Sequence, residues 1–86
     1  MNKKTPSRKW YYEHVTANKE ELARSEKCGC VCCQKIFKPE DIEQYVSDAG
    51  GDTAICPYCD IDAVVGDASG LEITDELLSA LNKKWF

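Results

Sequence analysis

Two pairs of cysteines with short internal gaps are the strongest chemical signal in the sequence. Cys30 and Cys33 form the first pair, Cys56 and Cys59 form the second, and 22 residues separate Cys33 from Cys56. A two-residue gap lets a tight turn direct both sulfur atoms at one ion while its N–H groups donate to the thiolates. Two facing turns complete a tetrahedron, so the spacing predicts a four-cysteine Zn²⁺ site. Such a closed site is structural in type, because it leaves zinc no open coordination position.

Cys28 and Cys32 lie outside these two pairs. Cys28 could replace Cys30 only with a four-residue gap to Cys33, and Cys32 could replace Cys33 only with a one-residue gap to Cys30. Both spacings are poorer for holding one ion. We therefore predict that Cys28 and Cys32 are small, partly buried apolar side chains. The alternative is a redox-sensitive thiol that competes for zinc when oxidised, for example through a Cys28 to Cys32 disulfide.

The residue that follows each pair needs a left-handed backbone, which favours Gly, Asn or Asp. Asp60 suits this position, and Gln34 suits it less well.

Length and composition indicate one small domain over residues 1–86, with residues 1–9 as a flexible tail. A chain of this size buries a marginal core, so an added constraint such as a metal is expected. The N-terminal stretch MNKKTPSRKWYY lacks the apolar region of a signal peptide, and no apolar run reaches the roughly 20 residues that cross a bilayer. We therefore expect a cytoplasmic protein without membrane association. In a reducing cytosol, clustered cysteines bind metal or do redox chemistry more often than they form structural disulfides.

The net charge of −4 conceals a division along the chain. Residues 1–38 carry nine Lys or Arg and four Glu, for a charge of +5, whereas residues 39–86 carry two Lys and eleven Asp or Glu, for a charge of −9. The two halves could pack on each other or present solvated faces. Alternatively, the acidic C-terminal half meets a basic partner.

The sequence before the cysteine cluster favours helix over residues 17–26. Thr5-Pro6 could begin an earlier helix, and a break at Val15-Thr16 would divide the segment in two. An unbroken helix would place His14, Asn18, Glu21 and Ser25 on one polar stripe. Its apolar face would hold Tyr11, Val15 and Leu22.

The remaining elements complete an α+β, zinc-ribbon-like domain with short β-hairpins. Ile36-Phe37 is expected to end a hairpin, residues 38–46 to form a short inserted helix with Ile42, Tyr45 and Val46 on one face, and residues 47–52 to form a turn. Short strands are expected at residues 53–55 and 63–65. A C-terminal helix should start at Thr74 and present the apolar stripe Leu77, Leu78, Leu81 and Trp85, with Trp85-Phe86 docked on the domain.

Residues 14–86 resemble a family of small bacterial and phage-borne cytoplasmic proteins of unknown function. The shared features are Cys30-x-x-Cys33, Ile36-Phe37, Cys56-Pro57-x-Cys59, Ile61-Asp62, Ser69-Gly70, Thr74 and the terminal Trp85-Phe86. The family usually carries Gly in place of Asp60 and an aromatic residue in place of Cys32, which supports treating Cys32 as a non-ligand. Cys28 matches the family's Cys-Gly-Cys start, and this implies a role that the spacing does not assign to it. Phage-borne members imply control of, or interference with, a host protein.

Three classes of function are compatible with these features, and we expect the first. A protein-binding adaptor or regulator would use zinc to stabilise its scaffold and charged surfaces to address a protein partner. A nucleic-acid-binding zinc ribbon is the alternative; the basic, aromatic N-terminal stretch favours it, but the acidic net charge opposes it. An enzyme would use His14 with Glu21, or Asp60 and Asp62, as acid/base groups. We expect no enzymatic activity, because the sequence contains no phosphate-binding glycine loop and no nucleophile elbow.

Overall fold

The structure, a computed structural model, describes residues 7–48 and 50–86. This part of the chain contains three helices and antiparallel strands, so the predicted α+β class is confirmed. The helices are α1 (Arg8–Val15), α2 (Lys19–Ala23) and α3 (Asp75–Trp85), and the strands are β1 (Cys28–Cys30), β2 (Ile36–Phe37), β3 (Gln44–Asp48), β4 (Gly51–Ile55) and β5 (Val64–Gly66). Among the helices of residues 7–48 and 50–86, none has the length and apolar character needed to span a bilayer.

The break that we considered at Val15-Thr16 is present, since α1 ends at Val15, and the helix predicted over residues 17–26 is shorter than expected. Ser7 caps α1 by accepting a 3.1 Å hydrogen bond from the N–H of Trp10, so Arg8 and Lys9 are helical. The predicted helix start at Thr5-Pro6 lies outside the described residues, as do the first six residues of the expected tail. Ala17 has a φ of 48°, which interrupts the helix, and α2 ends at Ala23. The predicted bounds are therefore wrong at both ends.

Contacts with β4 explain the break. The N–H of Ala17 donates to Oγ1 of Thr53 at 2.8 Å, and the N–H of Ala54 donates to Oδ1 of Asn18 at 3.1 Å. These bonds hold Ala17, between α1 and α2, in a left-handed conformation. The polar residues from His14 to Ser25 therefore do not form the single helical stripe that an unbroken helix would give. Tyr11, Val15 and Leu22 are buried as expected, but they lie on two separate helices and not on one continuous helical face.

The turn with the first cysteine pair connects strands of a three-stranded sheet with the order β2-β1-β5, and the second pair follows β4 of the two-stranded sheet β3-β4. Gly29 on the central strand lies opposite Ile36 on one side and Val65 on the other. A Cβ atom on Gly29 would lie 2.7 Å from Cδ1 of Leu78, so the glycine permits the close approach of α3 to β1. The predicted hairpin ending at Ile36-Phe37 is confirmed.

Residues 38–48 do not form the extended inserted helix that we predicted. A single 3-10 turn at Pro39–Asp41 is the only helical part, and β3 then pairs with β4. Ile42 is buried but Val46 is 46% exposed, so their predicted common face is wrong. Cross-strand pairing within the β3–β4 hairpin prevails over the local helical signal.

The second hairpin extends into the predicted turn at residues 47–52, because β3 ends at Asp48 and β4 begins at Gly51. Ala49, inside this turn, lies outside the described residues. The strands predicted at residues 53–55 and 63–65 are present as β4 and β5, although β5 is shifted by one residue.

The C-terminal helix follows the prediction closely. Oγ1 of Thr74 accepts a 3.1 Å hydrogen bond from the N–H of Leu77 and caps α3. Leu78 and Leu81 are fully buried, and the ring of Trp85 stacks on Tyr11 with centroids 5.1 Å apart. Phe86, in contrast, is 60% exposed, so only the first of the two terminal aromatic residues docks on the domain as predicted.

Candidate metal centre

The first cysteine turn joins β1 to β2. The N–H of Gln34 donates to the carbonyl of Cys30 at 2.8 Å, and the N–H of Cys30 donates to the carbonyl of Lys35 at 3.0 Å. Inside the turn, the N–H of Cys33 donates to Sγ of Cys30 at 3.5 Å. The turn thus fixes both cysteine side chains on one side of the chain and supplies a hydrogen bond to sulfur.

The second turn, after β4, repeats this arrangement. The N–H of Asp60 donates to the carbonyl of Cys56 at 3.0 Å, and the N–H of Cys56 donates to the carbonyl of Ile61 at 3.0 Å. The N–H of Tyr58 donates to Sγ of Cys56 at 3.3 Å. The two turns therefore share the same main-chain hydrogen-bond register, counted from the first cysteine of each.

The two turns face each other and bring four sulfur atoms together. Sγ of Cys30 lies 3.6 Å from Sγ of Cys59, Sγ of Cys33 lies 3.7 Å from Sγ of Cys56, and all four atoms lie within 4.8 Å of one another. A disulfide would require about 2.0 Å. Sulfur atoms at the corners of a tetrahedron, each about 2.3 Å from a central zinc, are about 3.8 Å apart. The donor set and its spacing therefore fit one tetrahedral metal ion.

Burial makes this cluster unfavourable for bare thiolates. Cys30 and Cys56 are fully buried, and burial raises the pKa of both thiols. The N–H groups that donate to their sulfur atoms act to lower the pKa, but burial outweighs them. Burial also acts to raise the pKa of Cys33, but the N–H of Lys35 and the neighbouring sulfur groups outweigh it, so that pKa is lowered. A bound cation would offset the cost of ionising the buried pair, because metal ions deprotonate coordinated thiols.

Asn82 of α3 anchors the first turn from outside. Its Nδ2 donates to the carbonyl of Val31 at 2.9 Å and to the carbonyl of Cys32 at 3.1 Å. From the other side, the N–H of Val31 donates to the carbonyl of Ala63 at 2.8 Å. These bonds hold the segment between the two cysteines and thereby orient their side chains.

Asn18 connects the strands that carry the two turns. This side chain is 2% exposed; its Nδ2 donates to the carbonyls of His14 at 3.0 Å and Val64 at 2.8 Å, and its Oδ1 accepts from Ala54. Because β4 leads into the second turn and β5 pairs with the strand that leads into the first, Asn18 helps to fix one turn relative to the other.

The supporting roles of Asn18 and Asn82 were not predicted from the sequence. A usable signal existed for Asn82, which stands four residues after Leu78 on the core-facing side of α3, where a polar residue requires a hydrogen-bond partner. The role of Asn18 depends on β4 and β5, which are distant in sequence.

Cys28 and Cys32 are not part of the four-sulfur group in the described residues. Cys28 is fully buried on β1, and burial, with smaller contributions from Asp67, Glu40 and Asp41, raises its pKa to about 12. Cys32 is half-buried against the core. Both are free thiols; Cys32 has the partly buried character that we predicted, and Cys28 is buried more completely than expected. The redox role of either thiol stays a prediction.

The structure brings together one of the two candidate acid/base pairs. Nδ1 of His14 lies 2.9 Å from both carboxylate oxygens of Glu21, and this contact bridges α1 and α2 with the side chains 22% and 18% exposed. Asp60 and Asp62 are exposed after the second turn. The His14–Glu21 contact thus links two helices.

Comparison of the chain with protein-family models, with curated proteins and with solved structures finds no match. The resemblance to a bacterial and phage-borne family therefore stays a prediction from the sequence motifs.

Proposed function

We propose that Cys30, Cys33, Cys56 and Cys59 bind one structural Zn²⁺. The observation that carries this proposal is the convergence of four sulfur atoms within 4.8 Å of one another from two turns of the same design. Structural zinc contributes about 10–16 kcal/mol in small domains, which is comparable with the whole stability of a domain at about 5–15 kcal/mol. The metal would therefore determine whether this chain folds.

Iron is the other metal that suits four thiolates in a tetrahedron. Elemental analysis and the visible spectrum of the purified full chain separate the two, since a zinc site is colourless and a ferric site with four thiolates absorbs visible light. One equivalent of zinc in a colourless protein supports the proposal, and one equivalent of iron contradicts the metal assignment.

The biological role that we propose for this scaffold is a small intracellular, cytoplasmic adaptor or regulator that binds another protein. A closed four-thiolate site has no position for substrate or water, which supports a non-enzymatic role. Six free cysteines suit a reducing compartment. The acidic half of the chain, with a charge of −9 over residues 39–86, supports a partner with a basic surface. The family resemblance adds the further proposal of a phage-related origin and a host target.

A pull-down from host lysate tests this role. The full chain is compared with Cys56→Ser and with chelator-treated protein, and Cys32→Ser serves as the matched control. We expect a protein partner that the wild type and Cys32→Ser retain and that Cys56→Ser and chelated protein lose. Equal recovery by all four samples would contradict a role for the metal-stabilised scaffold in binding.

One observation favours the nucleic-acid alternative. Tyr58, between the cysteines of the second turn, is 56% exposed, and Nζ of Lys35 lies 5.7 Å from its ring centroid. An exposed aromatic ring beside a cation suits base stacking and phosphate contact. Salt-dependent binding to single-stranded DNA or RNA that is lost in Tyr58→Ala, or on removal of residues 1–9, would favour this function over the adaptor.

A further inference from the structure

β3 is an edge strand with an open side. Within the described ranges 7–48 and 50–86, β3 pairs only with β4, in a sheet of two strands. Gln44, Val46 and Ser47 are exposed, and 46% of the surface of the apolar Val46 is accessible. The strand contains no proline and no lysine, the two residues that most often prevent an edge from pairing with another chain.

The hydrogen bond from Ala54 to Asn18 reveals which main-chain groups face outward. Opposed residues of an antiparallel pair alternate between those that exchange hydrogen bonds and those whose N–H and C=O point away from the partner strand. The N–H of Ala54 points away from β3, because it donates to Asn18 at 3.1 Å. Tyr45, the partner of Ala54, therefore does not exchange hydrogen bonds with β4. Because the two types alternate along the strand, the same holds for Ser47, which lies opposite Asp52. Tyr45 and Ser47 thus direct their N–H and C=O groups to the open side of β3.

The charge around this edge selects the occupant. Residues 39–52 contain five acidic residues and no Lys or Arg, and Glu40, Asp41 and Glu43 are exposed just before the strand. Lys19, which contacts the hairpin, is engaged with Asp52 at 3.7 Å and with the ring of Tyr45 at 4.9 Å. A second copy of this chain would bring two acidic segments together, whereas a basic segment would be attracted.

We propose that the open edge of β3 binds an extended, basic segment of a partner protein, which adds a third strand to the β3–β4 sheet. The outward N–H and C=O groups of Tyr45 and Ser47 supply four main-chain hydrogen-bonding groups. Val46 supplies an apolar contact, and the surrounding carboxylates set the preference for lysine or arginine. This inference rests on the proposed role as a protein-binding adaptor and names the chemistry of the partner.

Two synthetic peptides test the proposal on the full, metal-loaded chain. The first is a nine-residue peptide that alternates lysine and valine, and the second carries glutamate in place of every lysine. In an NMR titration we expect the lysine peptide to shift the amide signals of Tyr45 and Ser47 and to slow their hydrogen exchange. We expect the glutamate peptide to bind at least tenfold more weakly than the lysine peptide. Added salt should weaken the binding of the lysine peptide, because it screens the attraction between opposite charges. Equal affinity for both peptides, or shifts elsewhere than β3, would overturn the proposal.

Substitutions on β3 separate this edge from the rest of the surface. Ser47→Pro removes an outward N–H without breaking the ladder to β4, and Ser47→Ala is its matched control, because both lose the 3.2 Å bond from Ser47 Oγ to Asp52. We expect Ser47→Pro to bind the lysine peptide at least tenfold more weakly than Ser47→Ala. Val46→Lys keeps every main-chain group and adds one positive charge among the five carboxylates, and we expect it to reduce the preference for the lysine peptide. Unchanged binding in Ser47→Pro and Val46→Lys would overturn the proposal.

Two further measurements, of oligomeric state and of metal content, separate this proposal from its alternatives. A dimer of the wild-type chain in analytical ultracentrifugation that Ser47→Pro converts to monomer would overturn the proposal in favour of self-association through β3. Metal content is measured on every variant. A variant that loses peptide binding but retains one equivalent of zinc has lost the function of the β3 edge and not the fold. A wild-type protein without zinc contradicts the four-cysteine proposal and not the edge proposal.

Discussion

Gln34 and Asp60 stand at the same position of the two cysteine turns, and each has a φ of 65°. The shared left-handed conformation allows the N–H of each residue to return to the carbonyl of the first cysteine in its turn. The equivalence is a consequence of the turn design, because it holds for two side chains of different type and in two different parts of the fold.

This equivalence predicts unequal effects of glycine at the two positions. A left-handed conformation costs a residue with a Cβ about 1–2 kcal/mol, and the extra freedom of glycine in the unfolded chain cancels about 0.5–1 kcal/mol of the relief. We expect Gln34→Gly to raise the free energy of unfolding by about 0.5–1 kcal/mol. Asp60→Gly should change it less, since Asp tolerates this conformation. Denaturant unfolding of both variants, with zinc saturating, makes the measurement; a Gln34→Gly variant less stable than wild type would contradict the account.

Replacing Asn82 should loosen the first cysteine turn. Asn82→Ala leaves the carbonyls of Val31 and Cys32 without their donor, and an unsatisfied buried polar group costs about 1–3 kcal/mol. We expect a loss of stability of that order together with faster transfer of zinc to a competing chelator. Lys83→Ala, on the exposed side of α3, is the control. Equal zinc transfer rates in the two variants would show that Asn82 does not support the turn.

Gly29 should not accept a larger residue. Its Cβ would meet Cδ1 of Leu78 at 2.7 Å and Cγ2 of Ile73 at 3.0 Å, so Gly29→Ala must displace α3 from β1. We expect a destabilisation of about 1–3 kcal/mol, as for other overpacked cores. A double-mutant cycle with Leu78→Ala tests the cause: the two effects should be less than additive, because the smaller side chain leaves room for the new methyl group. Strict additivity would place the cause elsewhere.

The raised pKa of Tyr11 predicts that the protein loses stability at alkaline pH. Burial, together with the charges of Tyr12 and Asp62, raises its pKa to about 12 from the ordinary tyrosine value of 10.0. The folded protein therefore favours the neutral phenol, and its contribution is complete below pH 10 and is lost as the pH rises towards 12. Relative to Tyr11→Phe, the free energy of unfolding of the wild type should fall across this interval. Parallel curves for the two proteins between pH 10 and 12 would count against the buried, neutral phenol.

The candidate ligand set could be predicted from sequence because its geometry is local. Two residues between cysteines define each turn, and the need for a left-handed residue at positions 34 and 60 follows from the same geometry. The helix α3 was predictable for a similar reason, since Thr74 caps it and Leu78 and Leu81 form its buried stripe.

The second hairpin could not be predicted in this way. Pro39 and two following acidic residues form a helix-start pattern, but only one 3-10 turn results. Tyr45 and Val46 instead gain cross-strand partners, Ala54 and Thr53, from a segment that local patterns do not associate with them. β4 also ends the N-terminal helix, through its contacts with Ala17 and Asn18, which are 36 residues away from it in sequence.

The measurement that tests the central claim most directly is the zinc content of single-cysteine variants of the full chain, purified without added metal. The account predicts one equivalent of zinc in the wild type and in Cys32→Ser, and an unfolded or zinc-free protein for Cys56→Ser, because three thiolates cannot complete the tetrahedron whose sulfur atoms lie within 4.8 Å of one another. Far-UV circular dichroism before and after chelation gives the fold of each sample. A folded Cys56→Ser variant that retains near-stoichiometric zinc would contradict the account.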